Sequence, residues 1–262
     1  VHTTGARNIA IGANAMNDTD AGSTSLGSND NIFIGYDAGG GTWADAASNQ
    51  NIAIGNYAMD AALDGASSNT AIGMYNLTSL TTGDKNTAVG YYSMIAATTA
   101  ISNVFIGNQA GQEAVTSNYN VGVGVTTLQY LVGGSSTAIG DEAGRYATGS
   151  YNTFVGSDAG KGGTTSAPYS SGENNTALGY QALAGFTTGD NNVAVGFSAL
   201  DGITTGYSNV AIGKNALGAA NGAENNTVAI GFGAGSAIDS DSTSANVLIG
   251  SFAGEGGAGY ML

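Results

Sequence analysis

The side chains that could do chemistry in this chain are few. It has one histidine, His2, and no cysteine. There is thus no imidazole pair for acid–base work, and no thiolate for a nucleophile, a disulfide or a soft metal. Carboxylate pairs stand at Asp141/Glu142 and Asp239/Asp241, the raw material of a catalytic dyad or a Ca²⁺ site. Hard cations want several convergent oxygens, and the glycine–aspartate nonapeptide of calcium-loaded β-rolls is absent. A solvated rim is the better reading of these acids. GEGGAG at 254–259 has the spacing of a dinucleotide-binding loop, which needs a following helix and an acid some 20 positions on. The three residues after it, Tyr260 to Leu262, are not that context. The chain is read as a non-enzyme with no cofactor and no metal.

Binding is the chemistry left over. After Gly35 comes DAGGGTWADAASNQ, with the sole tryptophan, Trp43; after Gly156 comes DAGKGGTTSAPYSSGE, with Lys161, the sole proline Pro168, and Tyr169. Loops that protrude from a rigid scaffold often carry function, and exposed aromatics suit sugar or protein contacts. Trp43, Lys161, Pro168 and Tyr169 are therefore the candidate receptor-contact residues, against the alternative that both loops are tolerated insertions. Threonine pairs at 81–82, 187–188 and 204–205 would be the start of an ice-binding face. They are too few for a regular lattice match.

The scaffold behind these loops is a repeat, which is the first thing to look for in a glycine-rich chain. NTALGYQAL at 175–183 returns as NVAVGFSAL and NVAIGKNAL, seventeen residues apart each time. The glycine that follows an aliphatic residue recurs fourteen times, as Gly12, Gly35, Gly55, Gly73, Gly90, Gly107, Gly124, Gly140, Gly156, Gly179, Gly196, Gly213, Gly231 and Gly250, at spacings of 16 to 23. Four residues earlier stands asparagine in twelve copies: Asn8, Asn31, Asn51, Asn69, Asn86, Asn103, Asn120, Asn152, Asn175, Asn192, Asn209 and Asn246. Ser136 and Thr227 are the exceptions. The whole chain, 1–262, reads as one array. The regular asparagine column points to a hydrogen-bonded ladder or turn cap rather than a ligand site.

Asn-(Ile/Val/Thr)-Ala-(Ile/Val)-Gly alternates like a short strand, and TTGD or SYN between copies is turn chemistry. One strand and a second short stretch per ~17 residues is the rhythm of an all-β solenoid, or β-roll, of about fourteen short coils. At the strand spacing such an array would form a rod of roughly 65 Å. A second pattern concerns volume. Four residues after the glycine the chain carries Met or Leu in eight copies and Gly in six. The bulky residues two before the glycine, Phe33, Phe105, Phe154 and Leu248, all fall in copies with the small partner, Gly39, Gly111, Gly160 and Gly254. One pocket filled from either of two positions explains this, because interiors are close-packed. Ala138/Gly144 and Ala229/Gly235 have neither filler and need another.

Both faces of the strand phrase are apolar, Ile or Val on one and Ala or Phe on the other. Three chains around an axis would bury one face inside each coil and the other against neighbours; the alternative is a monomer whose Ala/Phe face is its own interior. None of the 24 charged residues lies in the fourteen strand phrases, and the net charge is −14. That balance argues against nucleic acid or anionic membrane as partner, and no apolar run reaches spanning length. The chain is expected to be a segment of a longer polypeptide.

NTALGYQAL, NVAVGFSAL and NTAVGYYSM resemble the repeat shafts of bacteriophage tail fibres. The Asn-x-Ala-Ile-Gly core is similar to the left-handed β-roll heads of trimeric, YadA-like autotransporter adhesins. The resemblance runs through essentially the whole chain, though the period is longer than in the adhesin heads and no anchor, stalk heptad or chaperone is seen. It implies a homotrimeric fibre, located on a virion or at a cell surface, that joins other fibre or appendage segments. It also implies attachment to a host-surface glycan or protein receptor, without membrane insertion. Alternatives are the head of a cell-surface adhesin and, from another class, an ice- or ligand-binding solenoid.

Overall fold

The computed structural model describes residues 5–17, 27–44, 46–163, 166–218, 224–238 and 245–255. They form an all-β parallel solenoid in two compact units, Val1–Ser135 and Ser136–Leu262. Among the described residues there is no α-helix. The first unit carries β1 (Ile9–Ile11), β2 (Ile32–Ile34), β3 (Ile52–Ile54), β4 (Thr70–Ile72), β5 (Thr87–Val89), β6 (Val104–Ile106) and β7 (Val121–Val123). The second carries β8 (Thr137–Ile139), β9 (Thr153–Val155), β10 (Thr176–Leu178), β11 (Val193–Val195), β12 (Val210–Ile212), β13 (Val228–Ile230) and β14 (Val247–Ile249).

Within each unit, successive strands pair in parallel with like positions opposed. Ala71 faces Ala88, and Ala88 faces Phe105; Ala177, Ala194 and Ala211 align likewise. The pattern left open which strand face turns inward, and the structure decides it. In every coil from Phe33 to Ala229 whose middle residue bears a side chain, that side chain is fully buried. The flanking Ile, Val and Thr face outward, partly or largely exposed.

Two columns make the stack possible. The strand-ending glycines all hold φ between 121° and 144°, a region costly for other residues. A Cβ on Gly73 would lie 2.0 Å from the Gly90 carbonyl oxygen, and one on Gly90 2.3 Å from that of Gly107. The backbones approach too closely for any side chain. Beside them runs the asparagine ladder. Asn86 Oδ1 accepts from the Asn103 backbone N–H at 3.1 Å and from Asn103 Nδ2 at 3.0 Å. Asn86 Nδ2 in turn donates to Asn69 Oδ1 and to the Ala100 carbonyl. Buried amides are costly unless bonded, and these are bonded in both directions.

At the exceptions the ladder adapts. Ser136 Oγ accepts from the Asn152 N–H at 3.1 Å, and the Thr227 N–H donates to Asn209 Oδ1 at 3.0 Å. The stretch after each glycine, such as Tyr-Gln-Ala-Leu, is a tight turn. Its second and fourth residues sit in the left-handed region, as at Gln181 (φ 55°) and Leu183 (φ 55°). That conformation costs roughly 1–2 kcal/mol per residue. Bonding between coils offsets it: Gln181 N–H donates to the Ser157 carbonyl of one neighbour and Leu183 N–H to the Ala199 carbonyl of the other. A return segment closes each coil, with Thr187 N–H and Oγ1 both bonded to the Thr204 carbonyl. Thr81 bonds the Thr98 carbonyl in the same way, so these hydroxyls serve the stack instead of standing free for a lattice.

The paired pocket is real. A Cβ on Gly39, Gly111 or Gly160 would meet the ring of Phe33, Phe105 or Phe154 at 2.2–2.8 Å, and one on Gly254 would meet Leu248 at 2.9 Å. Coil 13, with Ala229 and Gly235, is filled by its neighbours instead: Leu217 and Leu248 lie 2.7 and 3.0 Å from where a Gly235 Cβ would stand.

Candidate functional site

With strand, asparagine and glycine columns committed to the stack, outward chemistry sits mainly on the turn. The side chains two and five residues after each glycine form adjacent columns that differ in character from coil to coil. In coils 8 and 9 these positions are Glu142/Arg145 and Asp158/Lys161. Arg145 Nη1 lies 2.6 Å from Glu142 Oε1, Lys161 Nζ pairs with Glu142 Oε2, and Lys161 Nζ lies 3.0 Å from Asp158 Oδ1. The Lys161 hydrogen bond is the main influence holding the Glu142 carboxyl below its ordinary range; the same bond raises the Lys161 ammonium. The Arg145 guanidinium lies 5.0 Å over the Tyr146 ring, and Tyr146 stacks on Tyr169 at 6.0 Å. Pro168 is exposed and Tyr169 half-buried. The structure thus gathers Lys161, Pro168 and Tyr169 on one flank of coils 8 and 9, and adds Glu142, Arg145 and Tyr146, which the loop-based reading missed. Opposite charges three residues apart in successive copies were the signal for them.

Trp43 is a correction. It is fully buried, packs edge-on against Phe33 at 5.6 Å, and donates from Nε1 to the Gly39 carbonyl at 3.1 Å. Gly39 leaves room for the Phe33 ring, and the indole packs on that ring. It is a core side chain of coil 2 and offers no surface to a receptor.

In the first unit the same turn columns hold a tyrosine stack. Tyr57 and Tyr75 lie 5.0 Å apart with planes 1° apart, Tyr75 and Tyr92 5.0 Å apart at 7°, with Tyr36 and Tyr91 edge-on at the sides. Asp37 and Asp60 flank it, and Asp60 titrates above the usual carboxylate range through burial and the Asp37 charge. In the second unit Ser198, Asp201, Asn215, Gly218 and Ser236 line an open cavity of about 300 Å³. Burial raises the Asp201 carboxyl, against hydrogen bonds from Ser198 and backbone N–H groups. One carboxyl among hydroxyls and an amide has neither a nucleophile–base pair nor a hard-cation ligand set.

Glu224 is buried, and neither of its carboxylate oxygens has a hydrogen-bond partner. It stands three residues before the ladder position, where other coils place Ser48, Ala66, Gly189 or Gly206. Among the described residues no three His, Cys, Asp or Glu side chains group as a metal site. Asp239/Asp241 and most of GEGGAG lie outside the described residues. No family model, curated protein or solved structure matches the chain.

Proposed function

We propose that the chain is a structural and adhesive segment of a homotrimeric attachment fibre, a phage tail fibre or similar appendage on a virion or cell surface, that binds a host-surface glycan or protein. The observation that carries this reading is the division of labour across each coil. The interior is already filled from the Ala/Phe face of the strand, yet the opposite face is Ile, Val or Leu except for Thr70, Thr87, Thr137, Thr153 and Thr176, and it lies partly open, as at Ile11 (57 % exposed) and Ile212 (38 %). An isolated solenoid has no use for a second apolar face; several chains side by side do. Three copies would also present every turn-column feature threefold, so that weak receptor contacts combine through effective concentration. The charged and aromatic flank of Lys161, Tyr146, Pro168 and Tyr169 is the receptor-facing candidate.

The test has two arms. Light scattering on the recombinant chain should give three times 25.7 kDa. Fluorescently labelled chain should be retained, saturably, by at least one of a panel of intact bacterial strains. A monomer removes the fibre, and an empty panel removes the attachment.

A further inference from the structure

We infer that the tyrosine stack of the first unit is a site of oxidative modification, where one-electron oxidants join Tyr75 to Tyr57 or Tyr92 through a bond between ring carbons. The bond ties coil 4 to coil 3 or coil 5. It needs a single chain, so it stands apart from the fibre reading.

The backbone sets the three rings in register. Tyr57, Tyr75 and Tyr92 each stand two residues after a strand-ending glycine, at φ 58°, 60° and 58°. Each N–H donates to the coil before: Tyr57 to the Tyr36 carbonyl at 2.9 Å, Tyr75 to that of Asn56 at 3.1 Å, and Tyr92 to that of Met74 at 3.2 Å. The same anchoring, one coil apart, places successive rings 5.0 Å apart and within 7° of parallel. All three are half-buried, so each is held in the stack and keeps a side open to a diffusing oxidant.

Tyr75 is the ring that gives up an electron most readily. An aromatic face is negative and attracts positive charge lying over it within about 6 Å; Tyr75 has such a face on either side. Burial, the Tyr36 and Tyr75 neighbours and the Asp37 and Asp60 charges all hold the proton on Tyr57. The phenols are thus intact at neutral pH, and two carboxylates stand by to take the protons that oxidation releases. In the reaction two phenols each give one electron to the oxidant, and one proton to a carboxylate or to water. The unpaired electrons rest on the oxygens and on the ring carbons ortho to them. Two ortho carbons bond, and their hydrogens move to the oxygens. Both rings are phenols again, and the chain is two hydrogen atoms lighter.

The second unit shows what the chemistry requires. Tyr146 and Tyr169 lie 6.0 Å apart at 21°, and the Arg145 guanidinium, 5.0 Å over Tyr146, opposes a second positive charge there. Rival reductants are few in the first unit. The chain has no cysteine, and Met16, Met59 and Met94 are buried. Met74 is 38 % exposed, but a methionine takes up oxygen as a sulfoxide and forms no bridge.

The test illuminates the intact chain with a ruthenium tris-bipyridyl complex and persulfate, a source of one-electron oxidant. Blue dityrosine fluorescence should appear in chains that keep single-chain mobility on a denaturing gel. Trypsin cuts after Lys85, between Tyr75 and Tyr92, so a Tyr75–Tyr92 bridge joins two peptides and a Tyr57–Tyr75 bridge lies within one. Tyr75→Phe keeps the ring and removes the phenol, and should lose most of the fluorescence. Tyr119→Phe, at a tyrosine 65 % exposed, should lose little. Fluorescence that survives Tyr75→Phe or depends on Tyr119, bridges that form only between chains, or no bridge at all overturns the site.

Discussion

The two units share a skeleton and differ in dress. In both, glycines at φ near 130° stack against one another and asparagines run as a ladder. Outward, they diverge. The first unit lines its turn with the tyrosine stack of Tyr57, Tyr75 and Tyr92 and with Gln112 and Gln129, joined at 2.6 Å. The second lines it with the Glu142–Arg145–Asp158–Lys161 ion pairs and an aromatic row in which Phe232 meets Phe252 edge-on at 4.9 Å. Three columns fix the coil, and the remaining positions are free to change without disturbing it. Backbone geometry and buried amides are the common condition, and surface chemistry is the variable.

If that division holds, the most damaging changes are those that strike the shared skeleton, in either unit alike. Gly90→Ala in the first unit and Gly196→Ala in the second should each cost at least about 3 kcal/mol, because a forbidden dihedral is joined by a carbonyl 2.3 or 2.7 Å from the new carbon. Gly250→Ala, with nothing within 4 Å, should cost only the dihedral, about 1–2 kcal/mol. Denaturant midpoints decide this; equal losses at Gly250 and Gly196 would remove the steric part of the account. Next comes Phe105→Ala, at about 3–5 kcal/mol. Adding Gly111→Leu should recover part of it, since Leu77 and Leu128 occupy the same left-handed position in other coils. A double mutant no more stable than the single would refute the shared pocket.

Smaller effects sharpen the contrast between units. Glu224→Ser, which restores the small residue used in other coils, should stabilise the second unit by about 1–2 kcal/mol, the cost of a buried polar group without a partner. A loss of stability would mean that the carboxylate has a use in its coil.

Acid should act with opposite sign in the two turns. Glu142 has a folded value below its ordinary 4.5, so its stabilisation is present above 4.5 and is lost as pH falls through the folded value. Asp60 is raised above 3.8, so its contribution is complete below 3.8 and is lost as pH rises through the folded value. Hydrogen exchange between pH 7 and 3 should therefore show the turns of coils 8 and 9 loosening while the turn of coil 3, which carries Asp60, tightens. Glu142→Gln should abolish the first change. Uniform loosening would contradict the assignment.

The repeat, the strands, the glycine corner, the amide ladder and the Phe–Gly pairing were all legible in the sequence, because each is a column and columns repeat. What was not legible shows where column reading ends. Alternation alone could not say whether Ala53 or Ile54 faces inward, since both are apolar; the structure turns the middle residue inward in these coils, whether it is Ala53 or Phe105. Trp43 looked like a loop tip because it is alone, whereas the Phe33 ring and the Gly39 carbonyl give it a place in the core. The flank around Lys161 and Tyr169 was found from loop length, but its partners Glu142 and Arg145 come from the coil before.

The glycine and asparagine columns are nearly the same in every coil, so by themselves they would accept a coil threaded at the wrong height. One large–small contact weighs against that. Phe105 has Gly111 in its own coil and also Gly122 in the next, where a Cβ would come within 2.5 Å of its ring; Phe33 and Phe154 are followed instead by Ala53 and Ala177. A coil slipped by one place would set a methyl where Gly122 has none, and the Phe105 ring would have to shift to admit it. That pair gives one coil an address, in a chain whose repetition would otherwise let it forget which coil comes next.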